Sequence, residues 1–147
     1  DATLAHVEEA VALGTSVAEF PTTAEAAEAS RAAGLHVLMG APNIVRGGSH
    51  SGNVPAIELL QRGLLDILSS DYVPLSMLQG VFHLADTGEA SLPDAIRLVT
   101  ANPAEAVGLA DRGAIAQGLR ADLVRVGTSP GEPPVVRSVW REGHRVA

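Results

Sequence analysis

Apolar and polar positions along the chain fall into a unit that recurs three times: a helical stretch, a glycine, then a short apolar strand. The copies are residues 4–13 with Gly14 and 15–20, residues 24–33 with Gly34 and 35–40, and residues 56–62 with Gly63 and 64–69. Glycine just past a helix takes the left-handed conformation that ends it at little steric cost. Thr3 precedes the first helix, and Thr22 with Glu25 has capping-box spacing ahead of the second. Alternating helices and strands predict a parallel sheet with right-handed crossovers, and the apolar runs at 37–39 and 64–68 predict strands covered on both faces. All three strands then point the same way, so that Phe20-Pro21-Thr22, residues 40–53 and Ser70-Asp71 gather at one rim.

Beyond Asp71 the pattern predicts helices at residues 75–85 and 92–99, the second entered through Ser91-Leu92-Pro93, a cap followed by an early proline. Thr100-Ala101-Asn102-Pro103 opens a short helix at 104–107, closed by Gly108. The texture then changes to a turn and brief strand at 112–118 and strands at 121–126, 135–140 and 144–147. A Pro/Gly-rich turn at 129–134 and hairpin punctuation at Glu142-Gly143 separate them. A boundary near Leu109 gives two parts, residues 1–108 and 109–147.

Composition narrows the chemistry. The 147 residues suffice for one ordinary domain, and the chain begins with Asp1 at the approach to a helix, which leaves room for an upstream portion. Without cysteine there is neither a disulfide framework nor a thiolate metal site. No run approaches the roughly 18 apolar residues of a membrane span. A formal charge of -7 argues against a nucleic-acid surface, so an anionic substrate would need a local cationic pocket or a metal. Aromatic residues make up 3% against 46% hydrophobic, so the core must be built from Ala, Val, Leu and Ile, which suits a helix-covered parallel sheet.

Two stretches could carry chemistry. Asp71 stands just past an apolar strand, where α/β folds present groups to ligands; the alternative is a cap for the next helix. Residues 40–53 form the longest non-periodic stretch, read as a loop between a buried strand and a helix. There Gly47 and Gly48, beside Asn43, Ser49, His50, Ser51 and Asn53, would let backbone N–H groups converge on an anion, and Arg46 would clamp phosphate or carboxylate. The alternative is a flexible hinge with a solvated arginine. His50 is a ligand, a proton donor or a hydrogen-bonding loop residue, with no second histidine at metal-ligand spacing. His6, His36, His83 and His144 fall on helix or strand faces and read as structural or solvated, and Glu19 as a rim or pairing residue.

Taken in order, Asp1-Ala2-Thr3, the segments at 18–23, 37–43, 46–53 and 65–72, and the tail segments at 100–104, 111–113 and 118–124 resemble the phosphonate-metabolism amidohydrolases of the carbon-phosphorus lyase pathway, in the amidohydrolase superfamily. The resemblance covers essentially the whole chain. It implies the last three strands of a metal-dependent TIM (β/α)8 barrel plus strands of a small β-sandwich, with an N-terminal half missing, since a barrel needs about 250 residues. Three parallel strands alone leave two open edges, an aggregation liability, so the chain is expected to fold only with that half.

The resemblance further implies a cytoplasmic hydrolase that takes a phosphorylated ribose, α-D-ribose 1-methylphosphonate 5-triphosphate, and leaves the 5-phosphate and pyrophosphate. Asp71 would bind a divalent metal, Zn or Mn rather than Mg, and accept the proton of the attacking water. Arg46, Gly47, Gly48 and His50 would steady charge on the phosphate chain. Glu19-Phe20 stands where many members place a histidine ligand, which leaves the metal count open, as it does any homo-oligomer. The rival readings are hydrolysis of a C–N bond, by cyclic amide opening or deamination, and a non-catalytic α/β module that binds a sugar phosphate.

Overall fold

A computed structural model describes residues 3–49, 51–129 and 131–147. The helix–glycine–strand unit is present three times: α1 (Leu4–Ala12) leads to β1 (Val17–Glu19), α2 (Ala24–Ala32) to β2 (His36–Gly40), and α4 (Ala56–Gln61) to β3 (Ile67–Ser69). Gly14, Gly34 and Gly63 all take positive φ, as the pattern requires. The strands form one parallel sheet in the order β1-β2-β3, with Glu19 opposite Leu38 and Gly40 opposite Ser69. All three strands are shorter than expected, and β3 starts late, at Ile67, with Leu64 still closing the turn out of α4 by donating its N–H to Leu59 O at 2.8 Å.

The largest departure is in residues 40–53. Six of them form a helix, α3 (Ala41–Arg46), with Pro42 in its first turn and Gly47 closing it at φ 75°. Pro and Gly there are a helix start and a helix stop, which the loop reading took for irregular chain. Cap assignments shift too. Thr23, one residue after Thr22, caps α2 by accepting a hydrogen bond from Ala26 N at 3.1 Å. Ser91 caps α6 (Leu92–Arg97) as expected, and Thr3 stands at the start of α1 without a capping bond from its side chain.

The remaining helices are α5 (Ser76–Asp86) and α7 (Ala101–Ala106), the latter starting three residues earlier than predicted. Residues 112–118 form turns rather than a strand. A separate antiparallel sheet comes next: β4 (Leu123–Gly127), β5 (Val135–Arg141) and β6 (His144–Arg145). The Glu142-Gly143 turn joins the last two, both residues at positive φ. Among the described residues no helix is long and apolar enough to cross a membrane.

The main core is aliphatic, as the composition demanded: Val37 and Met39 of β2, Leu59 of α4, Leu68 of β3 and Val81 and Leu84 of α5 pack together. A smaller cluster joins Val7, Ala18 and Leu35. Helix α3 lies close against α5, where a Cβ on Gly80 would stand 3.4 Å from the Ala41 Cβ. The outer edge of β3 is partly covered, since Leu68 N donates to Leu98 O at 2.9 Å.

At the other end of the strands from the rim, Asp66 stitches the sheet. Its backbone N–H donates to Val37 O at 3.0 Å, and its carboxylate accepts from Val37 N at 2.8 Å and pairs with Arg31 at 2.8 Å. Asn102 Nδ2 donates to Asp66 O at 2.8 Å, tying α7 to the same point. Asp66→Ala is therefore expected to lose about 1–3 kcal/mol in urea unfolding, because the Val37 N–H loses its acceptor, while Asp66→Asn keeps an acceptor and loses less.

In the hairpin sheet the Asp122 carboxyl is held below its ordinary pKa, first by the Glu142 N–H that donates to it at 2.8 Å and then by Arg120. A lowered folded-state value stabilises above the ordinary carboxylate pKa and is lost as pH falls through the folded value. Acid titration of the hairpin amide resonances should show that loss only below the ordinary carboxylate range, and Asp122→Asn should remove the pH dependence.

Candidate functional site

The three parallel strands end at one level, and the segments that leave their ends converge. After β1 comes Phe20, at φ 52°, its N–H extending the ladder to Leu38 O at 2.9 Å. After β2 comes α3, and after β3 a turn closed by Val73 N donating to Ser70 O at 3.0 Å. Asp71 sits in that turn at φ 49°. A positive φ is uncommon for any residue with a Cβ; aspartate tolerates it better than most, and a bulky phenylalanine makes a clear outlier. Two such residues at strand ends of one rim mark backbone that the surrounding structure holds in place, the kind of strain that collects at functional sites.

The turn is pinned from below by the fully buried Ser76, whose hydroxyl donates to Val73 O at 2.6 Å with Ser70 O at 3.2 Å. Helix α5 begins after Leu75, so Asp71 is not its cap and its carboxylate is not spent on helix amides. Gly40 forms the floor. A Cβ there would lie 3.0 Å from Asp71 Oδ2 and 3.3 Å from the Phe20 ring, so glycine lets both groups approach the end of β2 more closely than a side chain would.

These elements enclose a cleft of about 170 Å³ lined by Phe20, Met39, Gly40, Asn43, Arg46, Ser49, Ser51, Asp71 and Tyr72. Complete small-molecule sites run to roughly 300–1,000 Å³, so the cleft has room for one part of a ligand, such as a phosphate group. Five residues singled out from the sequence meet here: Asn43, Arg46, Ser49, Ser51 and Asp71. The Asn43 carbonyl oxygen is engaged, accepting from Ala56 N at 3.0 Å at the entry of α4, and Ser49 Oγ accepts from Ser51 N at 3.3 Å.

Other expected members fall elsewhere. Gly47 and Gly48 donate their N–H groups to Ile44 O at 3.1 Å and Asn43 O at 2.9 Å, which closes α3 and leaves no anion nest in those two amides. Asn53 is half-buried ahead of α4 and does not line the cleft, and the exposed Glu19 does not either. His50 lies outside the described residues. His6, His83 and His144 are exposed and His36 is half-buried on β2. Phe20 and Gly40 stand on the rim segments that the sequence brings together, although neither is given a role there; Met39 and Tyr72 line the cleft without having been singled out, and both stand beside the strand ends that mark the rim.

Among the described residues, charge at the cleft is split between one carboxylate and one guanidinium. Among the described residues Asp71 and Arg46 form no ion pair with each other or with a third group. Arg46 instead lies over the Tyr72 ring, 5.5 Å from its centroid, and Nη1 donates to the phenol oxygen. No group of three or more His, Asp or Glu stands together among the described residues. One carboxylate is one ligand, so these residues do not by themselves make a site for a divalent metal.

The sequence profile of the Amidohydrolase family matches residues 4–147. The alpha-D-ribose 1-methylphosphonate 5-triphosphate diphosphatase of Escherichia coli K12 is 60% identical over 148 residues, covering 99% of this chain and 39% of that protein. Among solved structures, an uncharacterized protein superposes with a TM-score of 0.67 at 21% identity, covering 99% of this chain and 44% of the other. An amidohydrolase does so with a TM-score of 0.64 at 20% identity, covering 99% and 43%. The fold is therefore shared with chains more than twice as long, consistent with part of a barrel plus a small sheet. A crystal structure of Gly40→Ala is expected to show the Asp71 carboxylate displaced by a few tenths of an ångström. An unmoved carboxylate would remove Gly40 from the site.

Proposed function

The chain belongs to the amidohydrolase family, and on that premise we propose that it is the carboxyl-terminal part of a hydrolase that releases pyrophosphate from a ribose 5-triphosphate and leaves the 5-phosphate. In this reading residues 1–108 are the end of a catalytic (β/α)8 barrel and residues 109–147 the end of a small β-sandwich. The substrate is the phosphorylated ribose in the name of the E. coli relative. The observation that carries the reading is the presence, in one cleft at the strand ends, of a carboxylate and a guanidinium that do not neutralise one another.

The division of labour comes from charge. Water adds to the α-phosphorus, the bond from that phosphorus to the bridging oxygen breaks, and pyrophosphate leaves with that oxygen. Asp71, an acceptor in its ionised form, takes the proton of the water. Arg46 offers planar N–H donors to the phosphate oxygens, on which negative charge builds during transfer. Ser49 and Ser51 add neutral hydroxyls at the same wall. A divalent metal, Zn or Mn, would make the water more acidic when bound, and Asp71 would be one of its oxygen ligands, with the others supplied by the rest of the whole protein.

Asp71→Asn separates chemistry from fold, since asparagine tolerates the same left-handed backbone. In the natural protein it should keep its unfolding midpoint and lose pyrophosphate release by about a thousandfold, the scale of a missing general base. Near-normal turnover would exclude Asp71 as the base, and a natural protein that releases no pyrophosphate from the ribose triphosphate but opens a cyclic amide or deaminates an amine-bearing substrate would favour C–N bond hydrolysis.

A further inference from the structure

We propose that Tyr72 is a positioning residue for Arg46: it holds the guanidinium at the cleft without neutralising it, so that the charge stays available to the polyphosphate end of a substrate. The inference rests on the proposed role of the cleft as a phosphate site, and adds a group that the sequence did not single out.

Three observations carry it. Arg46 is the last residue of α3 and exposed, and a guanidinium on a long side chain would otherwise sample many rotamers. Its only partner among the described residues is Tyr72, whose phenol oxygen accepts from Nη1 and whose ring centroid lies 5.5 Å from the guanidinium carbon. Tyr72 is also the neighbour of Asp71 in the turn between Ser70 and Val73, and both line the same cleft.

The choice of a neutral anchor matters. A carboxylate in place of the phenol would fix Arg46 as firmly but would cancel its charge. With no anchor, the nearest opposite charge on this cleft wall is Asp71, and an Arg46–Asp71 pair would disable both groups at once. A phenol engages one of the five guanidinium N–H donors and leaves four to face an anion. Tyr72 thus keeps the cation and the carboxylate apart, each able to meet a ligand group of the opposite sign.

The test uses inorganic tripolyphosphate as the probe and calorimetric titration of the natural protein. Arg46→Gln and Tyr72→Ala should each raise Kd by about tenfold, and Tyr72→Phe, which keeps the ring and is safe for folding, by a few-fold. In an Arg46→Gln background Tyr72→Ala should have no further effect, because the residue acts through the arginine. The inference is overturned if Tyr72→Ala leaves Kd unchanged, if it weakens binding by the same factor with and without Arg46, or if the unsubstituted protein does not bind tripolyphosphate. Pyrophosphate release from the ribose triphosphate is a separate measurement. A protein that binds tripolyphosphate through both residues and releases no pyrophosphate keeps this inference and loses the hydrolase reading.

Discussion

Strand β2 is hydrogen-bonded on both sides, and the arrangement of the rim descends from that. In parallel ladders neighbouring strands run in one direction, and the register that pairs Glu19 with Leu38 and Gly40 with Ser69 brings three strand ends to one level. Burial enforces the register. Val37 and Met39 alternate into the core with Leu68 beside them, and a slip of one residue would turn these side chains to the wrong face. The cleft therefore inherits its geometry from aliphatic packing well below it.

Beyond the strand ends, the backbone holds two residues in an unfavourable conformation. Phe20 and Asp71 both leave their strands at positive φ, at a cost of order 1 kcal/mol or more each, and both touch the space that Gly40 leaves empty. Buried Ser76 and the ladder bond from Phe20 N oppose relaxation at the two sites. The carboxylate is thus placed by main-chain geometry and by the lack of a side chain at position 40. That mode of positioning leaves its oxygens unspent on structural hydrogen bonds.

Much of this arrangement is readable in the chain, for identifiable reasons. The three glycines at 14, 34 and 63 mark helix ends through a local conformational rule, so the order of elements and the shared rim come without tertiary information. Helix α3 escapes because Pro42 and Gly47 read as breakers, although at a helix's first turn and just past its end they are favoured. The anion nest fails for the same reason, since amides that close a helix cannot also bind a ligand. Tyr72 escapes for a deeper one. Its role depends on a guanidinium 26 residues earlier in the chain, and no periodicity relates the two.

The contact of Gly80 with Ala41 has a further bearing on the cleft. Helix α3 forms one wall, and its back rests on α5 across a gap that already leaves a methyl group in ordinary van der Waals contact. Bulk added at position 80 beyond that of alanine would act as a wedge behind the wall and drive it forward. Position 80 thus bears on the cleft from behind its wall, without lining it.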